Sequence, residues 1–125
     1  MFGTRGIWIS AYTTPGASGP CVPVSVILNW ISCAGWLCRH FWEYYLYTKD
    51  ETLLRQEILP FMREAALFYL DYAVEDGDYI RLYPAVSPEN TPTGHTGVVA
   101  QNATMDFAIL KELLTNLLEG MGITG

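Results

Sequence analysis

Positive charge is scarce in this chain: seven Lys and Arg stand against thirteen Asp and Glu, for a formal net charge of -6. A surface of that sign repels phosphates, which argues against a nucleic-acid partner. Cysteine is also rare, with residues only at Cys21, Cys33 and Cys38 and no CxxC pair. An odd, unpaired set argues against a disulfide framework and lacks the ligand pairs of a zinc site, and Cys33 and Cys38 read as small core residues on a helix. Two histidines, His40 and His95, are too few for a metal site with an ordinary ligand count. No basic stretch followed by an apolar run and a small-residue cleavage site opens the chain, so no signal peptide is expected. The longest apolar stretch, Val22 to Cys38, is interrupted by Pro, Ser and Asn and reads as a buried helix, not a membrane span. Ser-His-Asp spacing, a P-loop and a dinucleotide fingerprint are all missing. The expectation is therefore no cofactor, no metal, no membrane and no nucleic acid.

What is present is apolar and aromatic: 50% and 14% of 125 residues, enough for one domain with a modest core and too much for a disordered acidic tail. Residues 1–22 carry clustered Gly, Thr, Ser and Pro, which is loop chemistry, with Ile7-Trp8-Ile9 as one candidate strand. From about Val24 to Tyr47 apolar residues recur at helical spacing, Ile27, Trp30, Ile31, Ala34, Leu37, Phe41, Tyr44 and Tyr45 among them. Trp36, Trp42 and Leu46 add apolar groups on other faces, the mark of a helix surrounded by neighbours. Thr48 and Glu51 have the spacing of a capping box. A second helix is expected from about Glu51 to Val74, with Leu54, Ile58, Phe61, Ala65, Phe68 and Tyr72 as its stripe and a kink near Gln56–Leu59 caused by Pro60. The short connection makes these two an antiparallel αα-hairpin. A turn at Glu75–Asp78, a short strand at Tyr79–Tyr83 and a long loop from Pro84 to Ala100 follow. A third helix begins near Asn102 or Thr104, either of which has the chemistry of a cap. The fold class is thus all-α, three helices with a short hairpin-like loop region. Each helix wants burial on a wide face, and no partner layer for them exists in the sequence.

The densest candidate chemistry is the loop at Ser87-Pro88-Glu89-Asn90. Pro84 and Pro88 stiffen it. A carboxylate on a stiff loop, beside an amide and between buried helices, has what a general acid needs, because desolvation keeps its proton on near neutral pH. A solvated turn Glu is the plainer alternative. Trp36 and His40 are spaced i, i+4 on one helix face and are candidates for a sugar platform and a hydroxyl donor, against core aromatic and satisfied histidine. Asp106 falls in the first turn of the third helix, where a negative charge complements the helix dipole.

Several segments, in order, resemble glycoside hydrolase family 95, the α-L-fucosidase and α-L-galactosidase type. Gly35 to Thr48 resembles its GAWL…H.W..Y..T helix, Leu59 to Asp71 its YP.LKEAA.FFLDFL helix, Ser87-Pro88-Glu89-Asn90 its SPEN turn, and Ala103-Thr104-Met105-Asp106 with Lys111 to Leu114 its TMD…REL helix start. The resemblance covers about residues 34–118. It implies that residues 1–125 are a piece of an (α/α)6 toroid of twelve helices that hydrolyses terminal α-L-fucosides or α-L-galactosides with inversion. It also implies that Glu89 is the general acid and Asn90 its neighbour at the sugar, with an oligosaccharide or glycan as substrate. The general base and the rest of the barrel would lie outside this chain, and the isolated chain would be inactive. Two other readings stand beside it: a non-catalytic helical carbohydrate-binding or protein-interaction module using Trp36, Trp42 and Tyr44, and a related (α/α)6 glycosidase or phosphorylase acting on another sugar.

Overall fold

The structure is a computed structural model that describes residues 2–11, 29–88, 90, 91, 93, 94 and 96–125. Three long helical runs dominate the described residues, accompanied by two small antiparallel strand pairs.

Helix α1 spans Cys33–Thr48 and buries Ala34, Cys38, Trp42 and Tyr45, one face at three- and four-residue spacing. It ends on Lys49, whose left-handed backbone (φ 55) sends its N–H to the Tyr45 carbonyl at 2.7 Å. The Lys49 ammonium also sits 5.4 Å from the Tyr45 ring centroid. The next helix is capped by Asp50, not Thr48: Asp50 Oδ1 accepts from the Leu53 N–H at 3.0 Å. Thr48 is already engaged, since its hydroxyl donates to the Tyr44 carbonyl. The expected capping box is therefore displaced by two residues.

Helix α2 (Glu51–Leu53), a π-helical stretch (Leu54–Ile58) and α3 (Leu59–Tyr72) follow one another without a break. Pro60, in the first turn of α3, explains the wide turn before it. Proline has no N–H for the Gln56 carbonyl, and its ring crowds that carbonyl. The chain widens instead, and the Leu59 N–H reaches back five residues to Leu54. The expected disturbance at Gln56–Leu59 is this π-turn. Leu54, Ile58, Ala65, Phe68 and Tyr72 are buried as the stripe requires, and Met62, Ala66 and Tyr69 widen the buried face.

Strands β1 (Val74–Asp76) and β2 (Tyr79–Arg81) form a hairpin with Val74 opposite Arg81, turning at Gly77 with φ 64. Helix α3 thus stops two residues before Val74, and Glu75 and Asp76 lie in a strand instead of the expected turn. Within the long loop, β3 (Ala85–Val86) pairs with β4 (Val99–Ala100). Helix α4 spans Thr104–Thr124 and starts at Ala103 with no side-chain cap. Asn102 is occupied elsewhere. Its Oδ1 accepts from the Leu82 N–H at 2.8 Å, and its own N–H donates to the Leu82 carbonyl at 3.0 Å. That clamp closes the loop's two ends over a fully buried Leu82.

The core lies between α1, α3 and α4, where Leu54, Met62, Phe68, Tyr69 and Leu113 are almost wholly excluded from solvent. Residues 2–7 lie against α3, and the expected Ile7–Ile9 strand does not form, because Ile7 pairs with a helix and not with a sheet. The Ile7 N–H donates to the Glu64 carbonyl at 3.1 Å. Gly6, at φ 75, lies so close that a Cβ there would fall 2.3 Å from the Glu64 oxygen. Arg5 holds Asp71 through its backbone N–H, Nε and Nη2 at 2.6–2.8 Å. That fork lowers the Asp71 pKa to about 2 from 3.8, with the Arg5 side-chain hydrogen bonds the largest cause. A carboxyl with a depressed folded pKa contributes stability that is present above the ordinary value and lost as pH falls through the folded one. Melting midpoints should therefore drop more steeply between about pH 4 and pH 2 in the native sequence than in Asp71→Asn. Equal slopes would show that the pair is fully screened.

Apolar surface remains uncovered. Trp36, Leu37, Phe41, Tyr44 and Tyr47 on α1 and Leu118 and Met121 on α4 are exposed. Phe41, Tyr44, Leu53, Ile58 and Phe61, with His40 and Glu57, line an apolar groove of about 440 Å³. Such faces fit the expectation that these helices want neighbours. Cys38 is a core residue as expected, its thiol pushed up to about 12 by burial; Cys33 is half-buried, and Cys21 lies outside the described residues.

Candidate active site

The loop between Val86 and Thr104 encloses a polar cleft of about 570 Å³. Its walls are Ser87, Asn90, Thr91 and Thr93 on one side and Val98, Ala100, Gln101, Asn102, Ala103 and Thr104 on the other. Hydroxyls and carboxamides predominate, and charged side chains are missing among the described lining residues. Amides and hydroxyls both donate and accept, which suits a neutral polyol. Tyr83–Pro84 is a cis bond, and the Tyr72 hydroxyl donates to the Pro84 carbonyl at 2.5 Å. The Asn90 N–H closes a turn on the Ser87 carbonyl at 3.1 Å. Asn90 is among the residues that line the cleft. Glu89 and His95 lie outside the described residues.

Trp36 and His40 share a face of α1 but serve different surroundings. Trp36 is exposed and packs edge-on against Trp30, ring centroids 5.4 Å apart. Trp30 clusters in turn with Val86 and Ile109. His40 faces the apolar groove with Phe41, Tyr44 and Phe61. The spacing i, i+4 aligned their Cα positions, but their side chains meet different surroundings, and neither is among the residues lining the cleft.

Asp106 is the residue whose setting the sequence concealed. It stands in the first turn of α4, as read, but it is fully buried and does more than complement the helix dipole. Its Oδ1 accepts from Trp30 Nε1 at 2.9 Å and from the Ser32 hydroxyl at 2.5 Å. Its Oδ2 is buried without a hydrogen-bond partner of ordinary geometry among the described residues. Burial raises its pKa, opposed by the hydrogen bonds from Ser32 and Trp30 and by the nearby Val86 N–H. The Tyr69 hydroxyl is buried close by, near Ser32 but without a hydrogen-bond partner of ordinary geometry among the described residues, and a Cβ on Gly35 would lie 3.0 Å from it. The one sequence signal was an Asp in an otherwise apolar helix start, preceded at long range by a Trp and a Ser able to donate.

Comparison with known proteins gives two findings. The family model described as the glycosyl hydrolase family 95 catalytic domain matches residues 1–125. The α-L-fucosidase 2 of Arabidopsis thaliana is 33% identical over 100 residues, 77% of this chain, and the match spans 12% of that relative's length.

Proposed function

Since this chain belongs to the glycosyl hydrolase family 95 catalytic-domain family, we propose that it supplies the general-acid segment of a domain that hydrolyses terminal α-L-fucosides or α-L-galactosides with inversion. The polar cleft beside the Ser87–Asn90 turn carries this reading, because its amide and hydroxyl walls suit sugar hydroxyls. The sugar itself is taken from the name of the Arabidopsis relative. In the complete domain, residues 1–125 form about a quarter of an (α/α)6 toroid, roughly three of twelve helices. The uncovered faces of α1 and α4 support that, since neighbouring helices would bury them.

In this mechanism Glu89 gives its proton to the glycosidic oxygen as the C1–O bond breaks. A water molecule adds to C1 from the opposite face, and a carboxylate outside this chain takes its proton. The two carboxyls stand roughly 6.5–9.5 Å apart to leave room for that water. Asn90 hydrogen-bonds the sugar or supports the acid. Trp36 offers an apolar face to the ring, and His40 is the weaker substrate contact because its groove is apolar.

The test uses the complete catalytic domain with 4-nitrophenyl α-L-fucoside and α-L-galactoside, following the first-formed anomer by proton NMR. Turnover with the β anomer appearing first is expected, and the isolated 125-residue chain should be silent. An α anomer first would remove inversion. Cleavage of other glycosides alone would move the enzyme to another sugar. Sugar binding without any turnover would favour a non-catalytic module.

A further inference from the structure

We propose that Asp106 is a positioning residue for the protonation step, orienting Trp30 and through it the start of the Ser87–Asn90 turn that lines the cleft. The inference rests on the glycosidase reading above. Its geometry does not, because every contact in it lies among described residues.

Asp106 joins three stretches far apart in sequence. From α4 it anchors Trp30 and Ser32, which precede α1, through two hydrogen bonds to one oxygen. Trp30 is 2% exposed, and Val86 and Ile109 pack with it into one cluster. Val86 is the last residue of β3, and Glu89 follows three residues later in the chain. On its other side Trp30 meets Trp36 edge-on. The direction of the Trp30 indole therefore sets the seat of both the acid-bearing turn and the exposed Trp36 ring. Ala103 and Thr104, within three residues of Asp106, are themselves part of the cleft wall.

A buried carboxylate in this place is costly unless it is well bonded, and one of its oxygens is not. A leucine would fill the same site in a helix start that has only to pack. Retaining the carboxylate makes sense where the orientation of its donors matters more than the stability it contributes.

The acid's placement can be read separately from general folding through the leaving group. An alkyl α-L-fucoside departs only with a proton, whereas 2,4-dinitrophenolate leaves without one. In the complete domain, Asp106→Ala should lower kcat on the alkyl fucoside about 100-fold, the effect of a misplacement of roughly 1 Å. On the dinitrophenyl fucoside the loss should stay within about threefold, because protonation then contributes little. Asp106→Asn keeps an acceptor for Trp30 and Ser32 and should recover most of the difference. Trp30→Phe, which removes only the indole donor and some bulk, should repeat the selective loss and covers the case in which Asp106→Ala fails to fold. Equal losses on both substrates, or none, in folded variants of an active enzyme would overturn the positioning role alone. A native enzyme inactive on both substrates overturns the glycosidase reading itself, a result distinct from either.

Discussion

Glu89→Gln in the complete catalytic domain is expected to cut kcat on an unactivated α-L-fucoside by about 10²–10⁴-fold, the usual contribution of a positioned general acid. Glutamine keeps the size and the hydrogen-bonding reach of the side chain and removes only the transferable proton. Binding should therefore survive, and KM should change far less than kcat. A dinitrophenyl fucoside should be hydrolysed at a rate closer to that of the native enzyme, because its leaving group requires no proton. The pH profile supplies a third signature. A general acid must carry its proton, so the rate falls as pH rises through its pKa. Glutamine does not titrate, and that alkaline limb should vanish. A variant that loses rate equally on both substrates and keeps the limb would move the acid to another residue. The Ser87–Asn90 turn would then retain only a binding role, through Ser87 and Asn90 in the cleft wall.

In the proposal Glu89 carries the transferred proton, while Asp106 holds Trp30 and Ser32 through its Oδ1. Their variants should share the leaving-group signature while differing in the pH limb, which only Glu89→Gln removes. A site built this way needs a rigid frame around a polar cleft. The frame is visible in the Asn102–Leu82 clamp and in the Tyr72 hydroxyl on the Pro84 carbonyl. The clamp ties the loop's two ends to one another and the Tyr72 bond ties its start to α3, while Ser87, Asn90, Thr91 and Thr93 line the cleft with hydroxyls and an amide.

The bodies of the three helices were legible because their periodic stripes are long, and Leu54, Ile58, Ala65, Phe68 and Tyr72 are buried as their spacing requires. The start of the first was not: Trp30 and Ile31, counted in its stripe from about Val24, lie in the non-helical stretch before Cys33, buried there by tertiary packing. The disturbance around Pro60 was legible for a covalent reason, the missing donor. Caps were not. Thr48, Asp50, Asn102 and Thr104 all have capping side chains, and which one acts depends on what the others already hold. Ile7-Trp8-Ile9 is a short apolar run of the kind a strand makes, yet the Ile7 N–H donates to the Glu64 carbonyl on a helix, a choice no local pattern encodes. Asp106 illustrates the same limit within the site. Its position in a first turn predicted a charge that complements the helix dipole, while its partners Trp30 and Ser32 lie more than seventy residues away. Long-range donors decide whether an acid is a solvated helix start or a buried hub.

Gly6→Ala should be among the most damaging single changes outside the cleft, costing roughly 3 kcal/mol from backbone strain together with steric conflict. Two penalties coincide there. The residue has φ 75, which an L side chain adopts only with strain. A Cβ would also fall 2.3 Å from the Glu64 oxygen and 2.6 Å from the Phe68 nitrogen, both backbone atoms of α3 that cannot swing aside. The segment must then lift away, and its bonds go with it: Ile7 to Glu64, and the Arg5 fork on Asp71. Phe2 would lose its edge contacts with Phe68 and Tyr72 as well. Gly3→Ala is the matched control, since Gly3 has nearly the same φ of 72 but nothing within 4 Å of where an added methyl would sit. That variant should show the strain alone, about 1 kcal/mol. Denaturant midpoints for the two variants and the native sequence in the complete domain separate the terms. A much larger drop for Gly6→Ala than for Gly3→Ala is expected. Equal drops would mean that residues 2–11 do not hold this close approach to α3 in solution, and that the Arg5–Asp71 pair contributes little to seating them.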